Sequence, residues 1–514
     1  MPPADSKFST FQYRAKEVKM ASILDKLQKN LPSIMGHHQR GAYRFQLGFD
    51  FGTSYSKCIY RNLGSKAFVF TFDLNGRKEF LLSSSIICKN NTFYINEGNQ
   101  QYPEHGLWHI KMALADLAQK KFSSPTLSRI NQKFGLQPNS QKQTEFVKAA
   151  CLFYLSRALR AVRSGILVRN PDFGKHDQDD MYVTMAIPVS NLRDNDTKNA
   201  FEDILKKAWR IACQTGPLST QTSCQEMVAA LTQESDPLDN SCHVYPEVSA
   251  NIQPFRVSSQ SPGDSANIYL VTDTGSGTVD QCCFTLTSRQ KTGELINYFS
   301  AQVFELGSGA IERRCSATEN GSIEKWRRMK ELKQVDPILQ QVLNEIAKEL
   351  NRKASATTFR QLVGQLHDFD TQTDDDKVKT PRNTPERAIR LHLYLIFTGG
   401  GDMDNPYHKA IINAVQELFE YPLKNEFTTN KSIWQDRVIT ISKPEDLELP
   451  KSCDDWMKRL YVAYGLSFKY EELPGIWLPN GKEVDQDGLS RQLCPYCKGK
   501  RSHCVHCNGF GWVY

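Results

Sequence analysis

No apolar run in the 514 residues approaches the roughly 18 that a membrane-spanning helix needs, and the polar opening "MPPADSKFSTFQYRAKEVKM" lacks the apolar core of a secretory signal. A protein without membrane association, in the cytoplasm, is therefore expected. No block of like charge stands out either: 64 basic and 57 acidic residues leave +7, which argues against an obligatory nucleic-acid partner. GxxxxGK[ST] is missing, and no GxGxxG stands between a strand and a helix, so neither a P-loop nor a Rossmann site is expected. Asp50-Phe51-Gly52 has no glycine-rich loop upstream and no His-Arg-Asp loop, which removes a protein-kinase reading.

What is present is a pattern that occurs twice. "YRFQLGFDFGTSYSKCIYR" alternates apolar and polar residues on both sides of a glycine turn and reads as strand, turn, strand, with Asp50 at the turn. "NIYLVTDTGSGTVDQCCFTL" repeats that arrangement around Asp273. "SSIICKNNTFYIN" continues as β, residues 144–162 carry helical spacing, and "MYVTMAIPV" is a strand feeding a helix from about Asp194. Later, "LHLYLIF" reads as a buried strand, "TGGGDMDN" as a turn and "PYHKAIINAVQELF" as a helix capped by Asn405. A last helix is expected over Asp454–Phe468, and a helix around Val18–Leu31 precedes the organised part.

Turns of this kind offer backbone N–H groups to an anion, and an aspartate beside each can hold a hydrated magnesium ion. Two of them facing each other would clamp a nucleoside triphosphate. Asp-Thr-Gly-Ser also presents the carboxylate of an aspartic protease, but that needs two such copies on an all-β fold. Here the first copy is Asp-Phe-Gly and long helices separate the two.

In order along the chain, these segments resemble the ATPase domain of the 70-kDa heat-shock (DnaK-type) chaperones, in the actin and sugar-kinase superfamily. "DFGTSYSK" resembles the first phosphate loop and "DTGSGTVD" the second. "IPVSNLRDNDTKNAF" resembles a strand-Pro-helix crossover, "PEVSA" the connecting segment, "TGGGDMDNP" the adenosine loop and "YVAYGLSF" the final helix. "HIKMALAD" resembles the segment of the active-site lysine. The resemblance implies an α/β, two-lobed actin-like (ribonuclease H-like) fold: an extension at 1–43, ATPase lobe I at 44–250, a connection at 251–265, lobe II at 266–472 and a linker at 473–493.

It further implies ATP/ADP and magnesium as cofactors. Nucleotide binding would fall to Asp50, Gly52, Thr53, Ser54, Tyr55, Asp273, Gly275, Ser276, Gly277, Thr278, Gly307, Gly399, Gly400, Gly401 and Asp402. Catalysis would fall to Lys111, Glu247, Asp273 and Thr278, with Asp50 and Asp273 orienting magnesium through water. A solvated lysine on a helix is the alternative for Lys111. Val248 and Ser249 replace the family's Pro-Thr, and the peptide-gripping β-sandwich has no counterpart in the chain. A nucleotide-driven conformational switch is the leading expectation, with a small-molecule kinase or an actin-like filament as alternatives.

The remaining signal is metal spacing. "CPYCKGKRSHCVHCNGFG" sets Cys494, Cys497, Cys504 and Cys507 as two CxxC knuckles, which together complete a tetrahedral site for structural zinc. His503 and His506 read as bystanders, and a redox pair is the alternative reading. The glycines resemble the CxxCxGxG repeats of DnaJ co-chaperones, implying that residues 494–514, with the linker, contact a protein partner or client.

Overall fold

A computed structural model describes residues 41–96, 105–188, 195–233, 241–258, 267–289, 293–317, 337–371, 389, 392–400, 406–419, 434–450, 457–477, 483–484, 492–493 and 512–513. The helix expected around Val18–Leu31, the cap Asn405, Gly401, Asp402 and Cys494, Cys497, Cys504 and Cys507 lie outside these described residues.

The chain is α/β and is organised on two mixed sheets with one strand order. In the first, β1 (Arg44–Asp50) and β2 (Tyr55–Asn62) form an antiparallel hairpin and β3 (Ala67–Val69) continues beyond β2. On its other edge β1 pairs parallel with β4 (Asp180–Ile187), and β4 with β5 (Cys242–Pro246). In the second sheet β6 (Ile268–Thr274), β7 (Val279–Arg289) and β8 (Gly293–Phe304) are the antiparallel set. β9 (Leu393–Thr398) and β10 (Val438–Ile439) follow as the parallel set. The orders β5-β4-β1-β2-β3 and β10-β9-β6-β7-β8 match strand for strand, in direction as well as position.

Parallel neighbours need crossovers, and helices supply them. Ahead of β4 run α1 (Ile110–Ala118) and α2 (Gln141–Arg169); α3 (Asn195–Cys213) joins β4 towards β5. α2 starts where the Ser140 side chain accepts a hydrogen bond from the Gln143 N–H, and it buries a continuous face from Phe146 to Ile166. α4 (Glu247–Asn251) leaves the end of β5. α5 (Ser308–Ser316) and α6 (Pro337–Lys353) lie between β8 and β9, and α7 (Pro406–Phe419) between β9 and β10.

Strand periodicity sorts β6 between two cores. Tyr269 and Val271 face the core that holds the first sheet, α2 and α4, while Ile268 and Leu270 face a second core with Leu343, Ile346 and Ile411 from α6 and α7.

Two expectations about the C-terminal third are corrected. Of the helix expected over Asp454–Phe468, the described residues 457–468 are α-helical at α8 (Tyr461–Leu466), and residues 457–459 wind as a 3-10 turn with Leu460 N bonded to Met457 O at 2.9 Å. The Arg459 carbonyl accepts from Lys57 Nζ at 3.0 Å, which competes with the helical bond at that point. Part of the expected linker is sheet: Gly475–Trp477 pairs parallel with β8, and Glu483–Val484 pairs with Gly475–Trp477. Before that, the chain returns to the first sheet, with Leu447–Glu448 beside β3 and α8 packed on β1 and α4.

Candidate functional site

Both hairpin turns sit at the carboxyl end of the first strand of their sheet, and register fixes what faces each aspartate. In the first hairpin Lys57 stands opposite Asp50, and its Nζ lies 2.6 Å from Asp50 Oδ2. In the second, Asp280 stands opposite Asp273. One turn therefore carries an ion pair and the other two carboxylates, a pairing that repels when both are charged.

The turns touch. Ser54 Oγ donates to Ser276 Oγ at 2.8 Å, and a Cβ built on Gly277 would stand 2.9 Å from Thr53 Cγ2. The second turn is also pinned from behind: Gly307, Ser308 and Gly309 donate their N–H groups to the carbonyls of Gly277, Gly275 and Ser276 at 3.3, 3.0 and 2.8 Å. Gly307 is thus placed at the cap of α5. Two of the turn amides are not open to a ligand, because Gly52 N–H is taken up by Asp50 O and Gly275 N–H by Thr278 O. Tyr55 is exposed.

Lys111, in the first turn of α1, is 3% exposed and its Nζ lies 2.7 Å from Glu247 Oε2 at the start of α4. It is not a solvated surface lysine. Burial alone would lower its proton affinity, but Glu247, Asp50 and Asp280 outweigh that and hold its pKa above the ordinary value. Asp273 is shifted well up by burial, with Glu247 and Asp280 adding to it. Asp280 is pushed up to about 7 by burial and by Glu247, against a hydrogen bond from Thr278. The buried Oδ1 atoms of Asp50 and Asp280 have no hydrogen-bond partner.

Gly399, which follows β9, closes the group. Its φ of 86° is left-handed, and a Cβ there would meet Asp273 Oδ1 at 2.3 Å, so the backbone can pass only without a side chain. Gly400 O accepts from Arg459 Nη2 at 3.2 Å, which links this loop to the segment held by Lys57. Asn251 Nδ2 donates to Thr398 Oγ1 at 2.6 Å.

Asp50, Ser54, Lys111, Glu247, Asp273, Ser276 and Gly399 thus come to one place from both sheets. The sequence reading assigned no role to Lys57, Asp280, Asn251 or Arg459. For Lys57 and Asp280 a signal existed: each follows its turn aspartate by the spacing that puts it directly opposite on the return strand. Asn251 and Arg459 reach the site only through tertiary packing.

Among the described residues no group of three or more His, Cys, Asp or Glu side chains is placed to hold a metal ion. No helix among them is long and apolar enough to cross a membrane. No protein-family model matches the chain, and no curated protein matches it.

Proposed function

We propose that the chain is an ATP-binding, slowly hydrolysing conformational switch built on the two-lobed actin-like fold that the 70-kDa heat-shock chaperones share. The observation that carries this is the meeting of two like-built Asp-turn hairpins, from two sheets of one strand order, around the buried Lys111–Glu247 pair. Such a junction holds a polyphosphate by its turns, and relative rotation of the sheets can report on what is bound.

In this reading Thr53, Ser54, Ser276 and Thr278 supply hydroxyl donors to phosphate oxygens, and Lys111 stabilises charge that grows on the transferring group. Glu247 orients Lys111. Asp273, with its raised proton affinity, accepts the proton of an attacking water. Gly399 and Gly400 admit the nucleoside close to the backbone. The unpartnered Oδ1 atoms of Asp50 and Asp280 suit a hydrated cation, and magnesium held there through water, with Asp273, would offset phosphate charge.

The zinc tail is the second half of the proposal. Gln492 pairs with Val513 and Leu493 with Trp512, so the two ends of the cysteine segment are joined as antiparallel strands, as a compact knuckle requires. Through it, or the chain leading to it, the switch would contact a protein partner or client.

Titration calorimetry with ATP and ADP at millimolar magnesium tests the site. Binding is expected, and Gly277→Val should abolish it, because a side chain there enters the space between the turns. No heat with either nucleotide would overturn the proposal.

A further inference from the structure

Away from the hairpin turns a cavity of about 560 Å³ opens beside a small four-stranded sheet, and Cys88, His105, Lys133 and Phe134 are among its lining. Cys88 lies on the strand Ile86–Lys89, directly before the hairpin turn at Asn90 and Asn91, both in the left-handed region with φ of 49° and 58°. That turn holds a second cysteine. Cys224, which opens the helix Cys224–Leu231, donates its backbone N–H to Asn91 O at 2.8 Å. The two side chains also act on each other: the Cys224 thiol lowers the proton affinity of Cys88, and Cys88 raises that of Cys224.

We propose that Cys88 and Cys224 are a dithiol pair that closes to a reversible disulfide, with Cys88 the thiol attacked first by a small hydroperoxide entering through the cavity.

Three features favour Cys88 as the reacting thiol. It lines the cavity, whereas Cys224 does not. Lys133 lines the same cavity, held by Nζ donating to Gly106 O at 2.7 Å, and its charge favours a thiolate beside it. The neighbouring Cys224 thiol and that charge together bring the Cys88 thiol below its ordinary value against the effect of burial, while the Cys224 thiol is pushed up. By contrast burial pushes the thiols of Cys58, Cys151, Cys282 and Cys283 up, as in an inert core.

The chemistry balances in two steps. The Cys88 thiolate attacks a peroxide oxygen, the O–O bond breaks, and Cys88 becomes a sulfenic acid as hydroxide leaves and is protonated to water. The Cys224 thiol then attacks the sulfenic sulfur, an S–S bond forms, and the hydroxyl departs as a second water with the Cys224 proton. The peroxide is reduced by two electrons, and the two thiols are oxidised to one disulfide. Closure brings the two sulfurs, borne by residues at one hairpin turn, to about 2.05 Å.

The test treats the full chain with one equivalent of hydrogen peroxide, followed by peptide mapping without reductant. A Cys88–Cys224 linked peptide that dithiothreitol releases is expected. Cys224→Ser should halt at a Cys88 sulfenic acid that dimedone traps, and Cys88→Ser should slow peroxide consumption at these sites at least about tenfold. In untreated protein, iodoacetamide should label Cys88 before any other described cysteine. Linkage confined to other cysteines, or labelling of Cys88 no faster than Cys151, would overturn the proposal, and the labelling needs no variant to fold.

Discussion

Asp50 and Asp273 occupy the same place in two like hairpins, yet their neighbours give them opposite electrostatics. Lys57 compensates Asp50 at 2.6 Å, while Asp280 adds a second carboxylate beside Asp273. Because Asp280 keeps its proton up to about 7 in the native chain, and an unfolded aspartate releases it near 3.8, unfolding releases a proton between those values. The native state is therefore favoured by this group at low pH and loses that advantage as pH rises towards 7, each unit being worth about 1.4 kcal/mol. Asp280→Asn should raise the melting temperature at pH 8 by several degrees and change it little at pH 4, measured by calorimetry. An equal shift at both values would mean that Asp280 is not held protonated. A second variant addresses the lysine: in the proposed switch, Lys111→Ala should slow ATP hydrolysis roughly 10²-fold and leave ATP affinity within a few-fold. Equal turnover by parent and variant would remove Lys111 from the chemistry. At this scale the sequence was informative where a residue sits in its own turn, as Asp50, Ser54 and Asp273 do. It was silent where a residue arrives only through tertiary packing, as Asn251 and Arg459 do.

Among elements, the hairpins were legible because alternation and glycine mark a strand-turn-strand unit locally. α8 was drawn too long and the strand Gly475–Trp477 was missed for the converse reason. Six consecutive buried residues, Tyr461–Leu466, give no periodicity with which to end a helix, and a three-residue edge strand is defined by its partner β8, not by its own pattern. The contact between hairpins can be measured directly. In a double-mutant cycle, Ser54→Ala and Ser276→Ala should show a coupling of about 1 kcal/mol in urea unfolding, because the 2.8 Å bond joins two partly buried hydroxyls. Strict additivity would show that the two turns do not meet in solution. If a phosphate enters between them, it has to displace that bond.

At the level of the whole molecule, the C-terminal boundary separates two kinds of segment. Ending the chain after residue 491 removes the cysteine knuckles and the short strand pair around them, but leaves Gly475–Trp477 on β8. Melting temperature and ATP binding should then stay close to those of the full chain, while association with a partner or client is lost. Ending it after residue 472 also strips the edge of the second sheet and exposes β8. That shorter form should melt lower and aggregate more readily, as light scattering would show. If the longer truncation product is already destabilised, the tail is a structural clasp and has no separate recognition role.

The path of the chain between the sheets bears on how the molecule is made. It leaves the first sheet after α4, comes back for Leu447–Glu448 and α8, and leaves again for Gly475–Trp477. During synthesis β1 and β2 emerge early, but the helix that covers β1 is translated only after most of the second sheet has been. Until then the first half is a nascent chain with an uncovered strand and an open edge at β3, so it depends on later residues, or on a chaperone, to avoid pairing with a neighbouring nascent chain.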